Sequence, residues 1–536
     1  MSPRADSVVS MSASGPGSST SPTEHDAPAP AGRRITPQRG DGRAAASAPG
    51  DGDGVCFPRG DGSRSTTVTG RAIVADAARA IDPGLAGRVE SARNWRSDYI
   101  PLVRELTEAC AVTPQSSLAA SEAGLASTRE RMVFERGGHT LGLEQALLAG
   151  TGESLQSGEV PGAAEPVKEL SVPYRGRELR GPELEAQLDA WVRSSVVEPS
   201  FAVAIRSVIE HPEWLAVPGR RVALVGAGAE MGPLEPLSRW GAHVIAIDLP
   251  VERIWQRITE VIRRGAGRAT IPLAADGTPG IDVVRSLPET RAWLDRTAAA
   301  DRLVLGMYAY ADGGAHVCAT AAVDALAGDL LARREGTALA YLATPTDAFV
   351  VPEDAVAQAR AAYANRGVRR VLQAPLRALS RGGLFAPAYP GRSTVADVLV
   401  AQQGPNYALA KRIQRWRGLT ASANGVEVSF NVAPATLTRS VTKNRVLASA
   451  YTGARHFGIE IFAPATSRVL MAALLVHDLH TPAPERRHPE MLFSEGAAHG
   501  GLWRAAYQPR SVLGVAALTG LRTALGAPAR SAAPQA

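Results

Sequence analysis

A tyrosine and a lysine, Tyr407 and Lys411, stand four residues apart in the segment GPNYALAKRIQRWRG. Apolar residues recur there at three- and four-residue intervals, and Pro405 stands near the start, so the segment is predicted to be an α-helix. Residues four apart lie on the same side of a helix. A lysine ammonium beside a tyrosine stabilises the phenolate and lowers the pKa of the phenol. The spacing therefore predicts that Tyr407 acts as a general acid or base near neutral pH.

The scarcity of lysine in the chain supports a specific role for Lys411. Of the 58 lysines and arginines, only Lys168, Lys411 and Lys443 are lysines. Such a bias indicates a coding background in which tolerant lysines have become arginines. A lysine that remains is one whose compact ammonium does what a guanidinium cannot do.

A glycine-rich turn after the apolar run VALV predicts a nucleotide site, with glycines at Gly226, Gly228 and Gly232. Glycine lets the backbone turn sharply and approach a phosphate, and the helix predicted to follow offers unpaired N–H groups. A second apolar run, VIAI, ends at Asp248. A carboxylate at that strand end can accept hydrogen bonds from ribose hydroxyls. The pattern fits both NAD(H) and S-adenosylmethionine.

The composition argues against several classes of function. The chain has 536 residues, is 45% hydrophobic, and has a net charge of +6 without a basic run, so we expect no nucleic-acid partner. Three widely spaced cysteines predict neither disulfides nor a zinc site, and we expect no metal. We find no apolar run of membrane-spanning length and no secretory signal. We therefore expect a cytoplasmic protein with a small-molecule substrate and no membrane partner.

Apolar patterning divides the chain into four segments. Residues 1–74 are rich in Ser, Gly, Pro, Ala and Arg and are predicted to be a disordered tail. Residues 75–216 have helical periodicity and are interpreted as a helical domain, either a cap or an oligomerisation unit of a homo-oligomer. Residues 217–523 alternate apolar runs with helical segments, which predicts an α/β domain with a doubly wound, Rossmann-like parallel sheet and an insertion at 348–404. Residues 524–536 are predicted to be a second disordered tail.

Residues 219 to 480 resemble the short-chain dehydrogenase/reductase family. VALVGAGAEMG resembles its glycine turn, YALAK resembles its active-site YxxxK, and NVAPATLT resembles its segment after the sixth strand. Asp248 is similar to the acid that selects NAD(H) in this family. The resemblance implies an oxidoreductase that uses NAD(H) rather than NADP(H) to interconvert a carbonyl and a secondary alcohol.

The resemblance also implies the roles of individual residues. Tyr407 would exchange the proton, and Lys411 would hold the nicotinamide ribose. Thr344, with Thr346 as second choice, would replace the family's serine at the end of the fifth strand, because threonine keeps the hydroxyl. The loop that contacts the nicotinamide carboxamide would contain Pro434, Thr436 and Thr438.

The sequence also departs from the family pattern. Glu230 stands where the family has a glycine, and its carboxylate would repel a pyrophosphate unless it points away or pairs with a cation. The segment GMYA lacks the family's asparagine after the fourth strand, and a much longer stretch separates Thr344 from Tyr407. Arg253, near Asp248, complicates the preference for NAD(H). An S-adenosylmethionine-dependent methyltransferase and a non-catalytic nucleotide-binding protein therefore stay open as alternatives.

Overall fold

Short strands and helices, not a tail, make up the first described residues. The computed structural model describes residues 53–60, 63–150, 154–298 and 301–526. Val55 and Phe57 are buried in the main core, so the prediction of disorder is wrong from residue 53 on, and residues 1–52 lie outside the described part. The elements here are β1 (Gly54–Cys56), β2 (Arg59–Gly60), β3 (Ser63–Arg64), α1 (Thr66–Arg79), α2 (Pro83–Glu90), α3 (Trp95–Cys110) and α4 (Pro114–Arg131).

Strands interrupt the segment 75–216, which was interpreted as a helical domain. Strands β4 and β5 form a hairpin whose two turn residues are glycines with positive φ, which suits the twist of paired strands. The elements are β4 (Val133–Arg136), β5 (His139–Gly142), α5 (Leu143–Leu148), β6 (Gln156–Pro161), β7 (Ser171–Tyr174), β8 (Arg177–Arg180), α6 (Gly181–Arg193), α7 (Pro199–Glu210) and a 3₁₀ helix (Pro212–Ala216). Helical periodicity alone therefore did not describe this part of the chain.

Strands and helices then alternate, as predicted from the apolar runs. Strands β9 to β13 coincide with the first five strands expected in the α/β region. The elements are β9 (Arg220–Val225), α8 (Leu234–Trp240), β10 (His243–Ile247), α9 (Glu252–Arg264), β11 (Arg268–Leu273), α10 (Leu287–Thr297), β12 (Arg302–Met307), α11 (Gly314–Arg333) and β13 (Ala338–Ala343).

The first and last strands of the insertion at 348–404 lie side by side. Its elements are β14 (Ala348–Val350), α12 (Glu353–Ala364), α13 (Val368–Leu379) and β15 (Val395–Asp397). Strands β14 and β15 pair antiparallel, with Ala348 opposite Asp397. The chain therefore returns to the end of β13 before the next helix starts.

The remaining elements complete the sheet and add helices to both of its faces. They are α14 (Pro405–Ala423), β16 (Val428–Val432), α15 (Arg439–Lys443), α16 (Arg445–Ala454), a 3₁₀ helix (Arg455–Phe457), α17 (Pro464–His480), a second 3₁₀ helix (Pro489–Phe493) and α18 (Pro509–Gly526). Helix α18 extends through residues 524–526, which were predicted to be tail, and residues 527–536 lie outside the described part.

Seven strands form the central sheet in the order β16-β13-β12-β9-β10-β11-β6. The first six are parallel, and β6 pairs antiparallel with β11 at the edge. Alternate side chains of each strand point to opposite faces, so Val225 joins one core cluster and Leu224 joins the other. The protein is thus a mixed α/β structure with helices on both faces of a mostly parallel sheet.

The boundary predicted near residue 216 does not separate two units. Residues 47–536 form one compact unit. Helices α1 to α5 pack with α11 and α14 on one face, whereas α6 and α7 pack with α17 on the other. Strand β6 joins the central sheet itself. The segment 75–216 therefore covers both faces of the sheet.

One helix in the described part, α11, is long and apolar enough to cross a membrane by length and composition. Of its most apolar window, 72% is buried inside the protein, and its Asp324 pairs with Arg417 of α14. Burial of this kind is typical of a core helix.

Candidate functional site

The carboxyl ends of the six parallel strands meet at one edge of the sheet, which is where open α/β sheets bind ligands. The glycine turn follows β9, and Asp248 follows β10. Thr344 follows β13, and helix α14 begins close to it. The predicted residues that lie on segments at this edge are Gly226, Gly228, Gly232, Asp248, Thr344, Tyr407, Pro434, Thr436 and Thr438. The fold therefore gathers motifs that are far apart in sequence.

Gly226 stands where no other residue fits. Its φ is +83°, and its N–H donates to Ile247 O at 2.8 Å. A Cβ on Gly226 would lie 2.4 Å from the backbone N and Cα of Ala309, in the loop after β12. This close approach joins the glycine turn to the loop that carries Tyr308 and Tyr310.

Replacement of Gly226 by alanine should destabilise the protein more than the same change at Gly277, which has the same φ of +83° but open space around it. Both changes incur the left-handed backbone strain of about 1–3 kcal/mol. Only Gly226→Ala also forces the backbone of Ala309 away, at a further cost of about 1–3 kcal/mol. Urea unfolding of the two variants measures the difference. Equal losses in the free energy of unfolding would show that the Ala309 backbone moves away at no cost.

Asp248 ties the end of β10 to the glycine turn. Its Oδ2 accepts from Gly228 N–H and its Oδ1 from Leu249 N–H, each at 2.8 Å. Burial raises the pKa of Asp248, and these two hydrogen bonds and the charge of Arg257 oppose the rise. Each carboxylate oxygen can accept more than one bond, so this structural role leaves acceptor capacity for a ligand.

Arg257, which the sequence analysis did not single out, is the cation at this position. It lies on α9, donates to Gly228 O, and contributes to the electrostatic environment of Asp248. Arg253, the residue considered from sequence, is exposed on the same helix. Arg257 lies four residues after Arg253, one turn further along α9, so the helical pattern places both on the same side of the helix.

The carboxylate of Glu230 is held at the start of α15. Its Oε2 accepts from Arg439 N–H at 3.0 Å, and Arg468 donates to the Glu230 carbonyl at 3.2 Å. A carboxylate at a helix N-terminus is electrostatically favourable. The contact also joins the glycine turn to the segment that follows Thr438.

The loop after β16 has its own internal hydrogen bonds. The buried Thr436 hydroxyl donates to Pro434 O at 2.8 Å and lies 2.7 Å from Ser467 Oγ. Thr438 is half-buried and immediately precedes α15. Thr436 therefore holds the loop in shape, while Thr438 lies beside the contact that Glu230 makes.

Tyr407 and Thr344 lie close together, near enough for the Thr344 side chain to lower the pKa of the Tyr407 phenol. Lys411 lies one helical turn further on, with its Nζ 5.9 Å from the centre of the Tyr407 ring. That ammonium donates to Leu342 O and to Gln414 Oε1, each at 3.0 Å. The structure thus brings together the three residues predicted to be catalytic, at the end of β13.

The pKa of Tyr407 is raised, which corrects the expectation that Lys411 lowers it. Burial is the main cause, and the negative charge of Asp347 adds to it, whereas the nearby Thr344 side chain opposes it. Lys411 directs its ammonium at Leu342 O and Gln414 instead of at the phenol. Burial also lowers the pKa of Lys411 to about 8. At neutral pH, Tyr407 is therefore a protonated phenol beside a lysine that still carries most of its charge.

Two aromatic residues missed by the sequence analysis pack against Tyr407. His316 of α11 stacks on it with ring centres 5.7 Å apart, and Tyr310 lies 6.2 Å away. Burial lowers the pKa of His316 to about 3, so this histidine is neutral. Its Nδ1 accepts from Ala311 N–H, which leaves the proton on the buried Nε2. The signal available in the sequence was a histidine two residues after a pair of glycines, in the segment that follows the fourth strand.

The end of the insertion contributes a further polar side chain. Gln403 Nε2 donates to Thr346 Oγ1 at 2.9 Å, and Thr346 Oγ1 lies 2.8 Å from Thr344 Oγ1. A row of hydrogen-bonding groups thus runs from Gln403 to Tyr407. The long separation between Thr344 and Tyr407 does not move them apart, because β14 and β15 close the insertion.

Buried ion pairs hold α14 against the end of β13. Asp347 pairs with Arg412 at 2.6 Å and with Arg415 at 3.4 Å, and Arg415 also pairs with Glu490 at 2.8 Å. All four side chains are at most 5% exposed. Because Asp347 stands three residues after Thr344, these pairs fix the helix of Tyr407 relative to Thr344.

Comparison of the sequence with protein-family models and with curated proteins gave no match in either case.

Proposed function

We propose that this protein is an NAD(H)-dependent oxidoreductase of the short-chain dehydrogenase/reductase type, which interconverts a carbonyl and a secondary alcohol. The observation that carries the proposal is the proximity of the Tyr407 and Thr344 side chains, with Lys411 one helical turn away, at the carboxyl end of β13. The residues predicted to form the family's catalytic set come from two segments, and 63 positions separate Thr344 from Tyr407. Such convergence at a ligand-binding edge is expected of an active site.

The strand order supports a doubly wound, Rossmann-like interpretation of the sheet. Numbered along the chain, the six parallel strands lie in the order 3-2-1-4-5-6, which is the order of dinucleotide-binding sheets. The point where that order reverses lies between β9 and β12, next to the glycine turn. Dinucleotides bind at this reversal in such sheets.

The residues of the turn fit a dinucleotide. Within the described residues, the N–H groups of Glu230 and Met231 make no intramolecular hydrogen bond, so they can donate to an anion. Asp248 has acceptor capacity for ribose hydroxyls, and its carboxylate disfavours a 2′-phosphate. Arg257 donates to Gly228 O, which occupies a guanidinium that could otherwise bind a 2′-phosphate, and this supports NAD(H) over NADP(H).

The state of Tyr407 favours the reductive direction at neutral pH. A bound nicotinamide ring would supply the hydride to the carbonyl carbon. Tyr407, protonated because burial raises its pKa, would donate its proton to the carbonyl oxygen. Thr344 would orient that oxygen through its hydroxyl. The positive charge of Lys411, whose Nζ lies 5.9 Å from the centre of the Tyr407 ring, would stabilise the phenolate left behind.

Cofactor binding tests the proposal without knowledge of the substrate. In calorimetry, the full chain should bind NADH and not S-adenosylmethionine. Asp248→Asn should lower the affinity for NADH on the order of tenfold. It should also reduce the ratio of NADH affinity to NADPH affinity, because the neutral amide no longer repels a 2′-phosphate. The matched control is Asp276→Asn, at an exposed turn after β11. Binding of S-adenosylmethionine alone would establish the methyltransferase alternative, and binding of neither would favour a non-catalytic protein.

A further inference from the structure

Helix α13 of the insertion turns its apolar side toward solvent. Its five large aliphatic side chains are exposed, by 76%, 73%, 68%, 46% and 84%, and they are Val368, Val371, Leu372, Leu376 and Leu379. At about 100° per residue these side chains fall within an arc of about 140° on one side of the helix. We call this set the aliphatic stripe. No residue of α13 is buried, so the stripe is not part of the core.

The polar side of the same helix faces the protein. Tyr507 donates to Gln373 Oε1 at 2.9 Å, and Arg377 donates to the Tyr363 hydroxyl and to Phe385 O. An amphipathic helix of a globular protein normally does the reverse and buries its apolar side. These contacts therefore fix an orientation in which the stripe is presented outward.

The sequence on both sides of the stripe carries positive charge only. Between Asp354 and Asp397 the chain has seven arginines and no acidic residue. Arg369, Arg370 and Arg381 are exposed, and their side chains have no ion-pair partner among the described residues. A long arginine side chain can place its charge at a polar interface while its stem covers apolar surface.

We propose that the aliphatic stripe of α13 docks on an anionic lipid surface, which gives this protein a peripheral membrane site. A basic amphipathic helix with an aliphatic face lies in the lipid interface in this way, and anionic lipids attract the flanking arginines. A second copy of the chain is a poorer fit, because two such helices would bring like charges together. A protein partner is also a poorer fit, because the stripe has none of the aromatic residues that dominate such interfaces.

This proposal replaces the expectation of no membrane partner, which was based on the lack of an apolar run of spanning length. Helix α13 has 12 residues, too few to cross a bilayer but enough to lie on one. The proposal is independent of the cofactor, since it uses no residue at the carboxyl edge of the sheet.

Vesicle cosedimentation tests the proposal with the full chain. The protein should bind vesicles of equimolar phosphatidylcholine and phosphatidylglycerol, bind vesicles of phosphatidylcholine alone much more weakly, and lose binding as salt rises. Leu372→Ser with Leu379→Ser should weaken binding about tenfold or more. The control pair, Leu148→Ser with Val203→Ser, removes aliphatic side chains of similar exposure elsewhere, 72% and 60%, and should bind as the unaltered protein does.

Three cosedimentation results would overturn the proposal. One is that the protein binds neither kind of vesicle, and another is that it binds both kinds equally well. The third is unchanged binding by the Leu372→Ser, Leu379→Ser variant. Sedimentation velocity without lipid tests whether the stripe binds a second copy of the chain instead. If the unaltered protein is a dimer and the Leu372→Ser, Leu379→Ser variant is a monomer, the stripe is a dimer interface and the lipid proposal is overturned.

Discussion

Tyr407→Phe should lower the rate of NADH-dependent carbonyl reduction by about 10²- to 10⁴-fold, because phenylalanine keeps the ring and removes the proton donor. The ring still fills the space between His316 and Tyr310, so the fold should not change. NADH affinity should also remain, since the turn and Asp248 are untouched. NADH consumption with a panel of aldehydes and ketones measures the rate, and calorimetry measures the affinity.

Tyr310→Phe is the matched control for this change. Tyr310 is 58% exposed, and its hydroxyl donates to Asp312 Oδ1 at 3.1 Å. Removal of that hydroxyl leaves the side chains of Tyr407, Thr344 and Lys411 in place, so turnover should stay within a factor of about three. Equal rates for Tyr407→Phe and the unaltered protein would remove Tyr407 from the mechanism, and with it the oxidoreductase proposal.

The six parallel strands were predictable because each contains a short, mostly apolar run, and three of these runs are followed directly by Gly226, Asp248 or Thr344. Strands β9 and β10 are buried on both faces, so their sequences VALV and VIAI are continuously apolar. The helix of Tyr407 was predictable from its spacing, and its position near β13 followed from the order of the elements. Local patterns therefore determined which segments reach the carboxyl edge of the sheet.

Properties that depend on distant packing were not predictable. The pKa of Tyr407 depends on burial beside His316 and Tyr310 and on the charge of Asp347, none of which is apparent from the YxxxK pattern. The pairing of β14 with β15 joins residues almost fifty positions apart, and β6 reaches the sheet from the segment interpreted as helical. A two-residue turn or a three-residue strand is too short to have a periodicity.

Buried charge on α14 was also hidden from the pattern analysis. Three arginines of this helix are buried, and they are Arg412, Arg415 and Arg417. A helix with this many cations is expected to lie at the surface, but each of these arginines has a carboxylate partner on another element. The partners Asp347, Glu490 and Asp324 come from three separate segments, so sequence alone could not identify them.

Asp347→Ala should lower the free energy of unfolding by about 3–5 kcal/mol, because Arg412 loses its carboxylate partner and stays buried. Arg415 remains paired with Glu490, so Arg412 is the guanidinium that is left buried without a carboxylate. Urea unfolding gives the measurement. Glu260→Ala, which breaks an exposed pair with Arg264, should cost less than about 0.5 kcal/mol.

A second substitution separates the unpaired charge from general damage to this region. Arg412→Met in the Asp347→Ala background removes the stranded guanidinium and should recover about 1–3 kcal/mol of the loss. The same pair of variants reports on the site, since Asp347 holds α14 beside Thr344. If Asp347→Ala costs no more than Glu260→Ala, then the Asp347 pairs do not position α14, and its place beside Thr344 depends on its other ion pairs and on apolar packing.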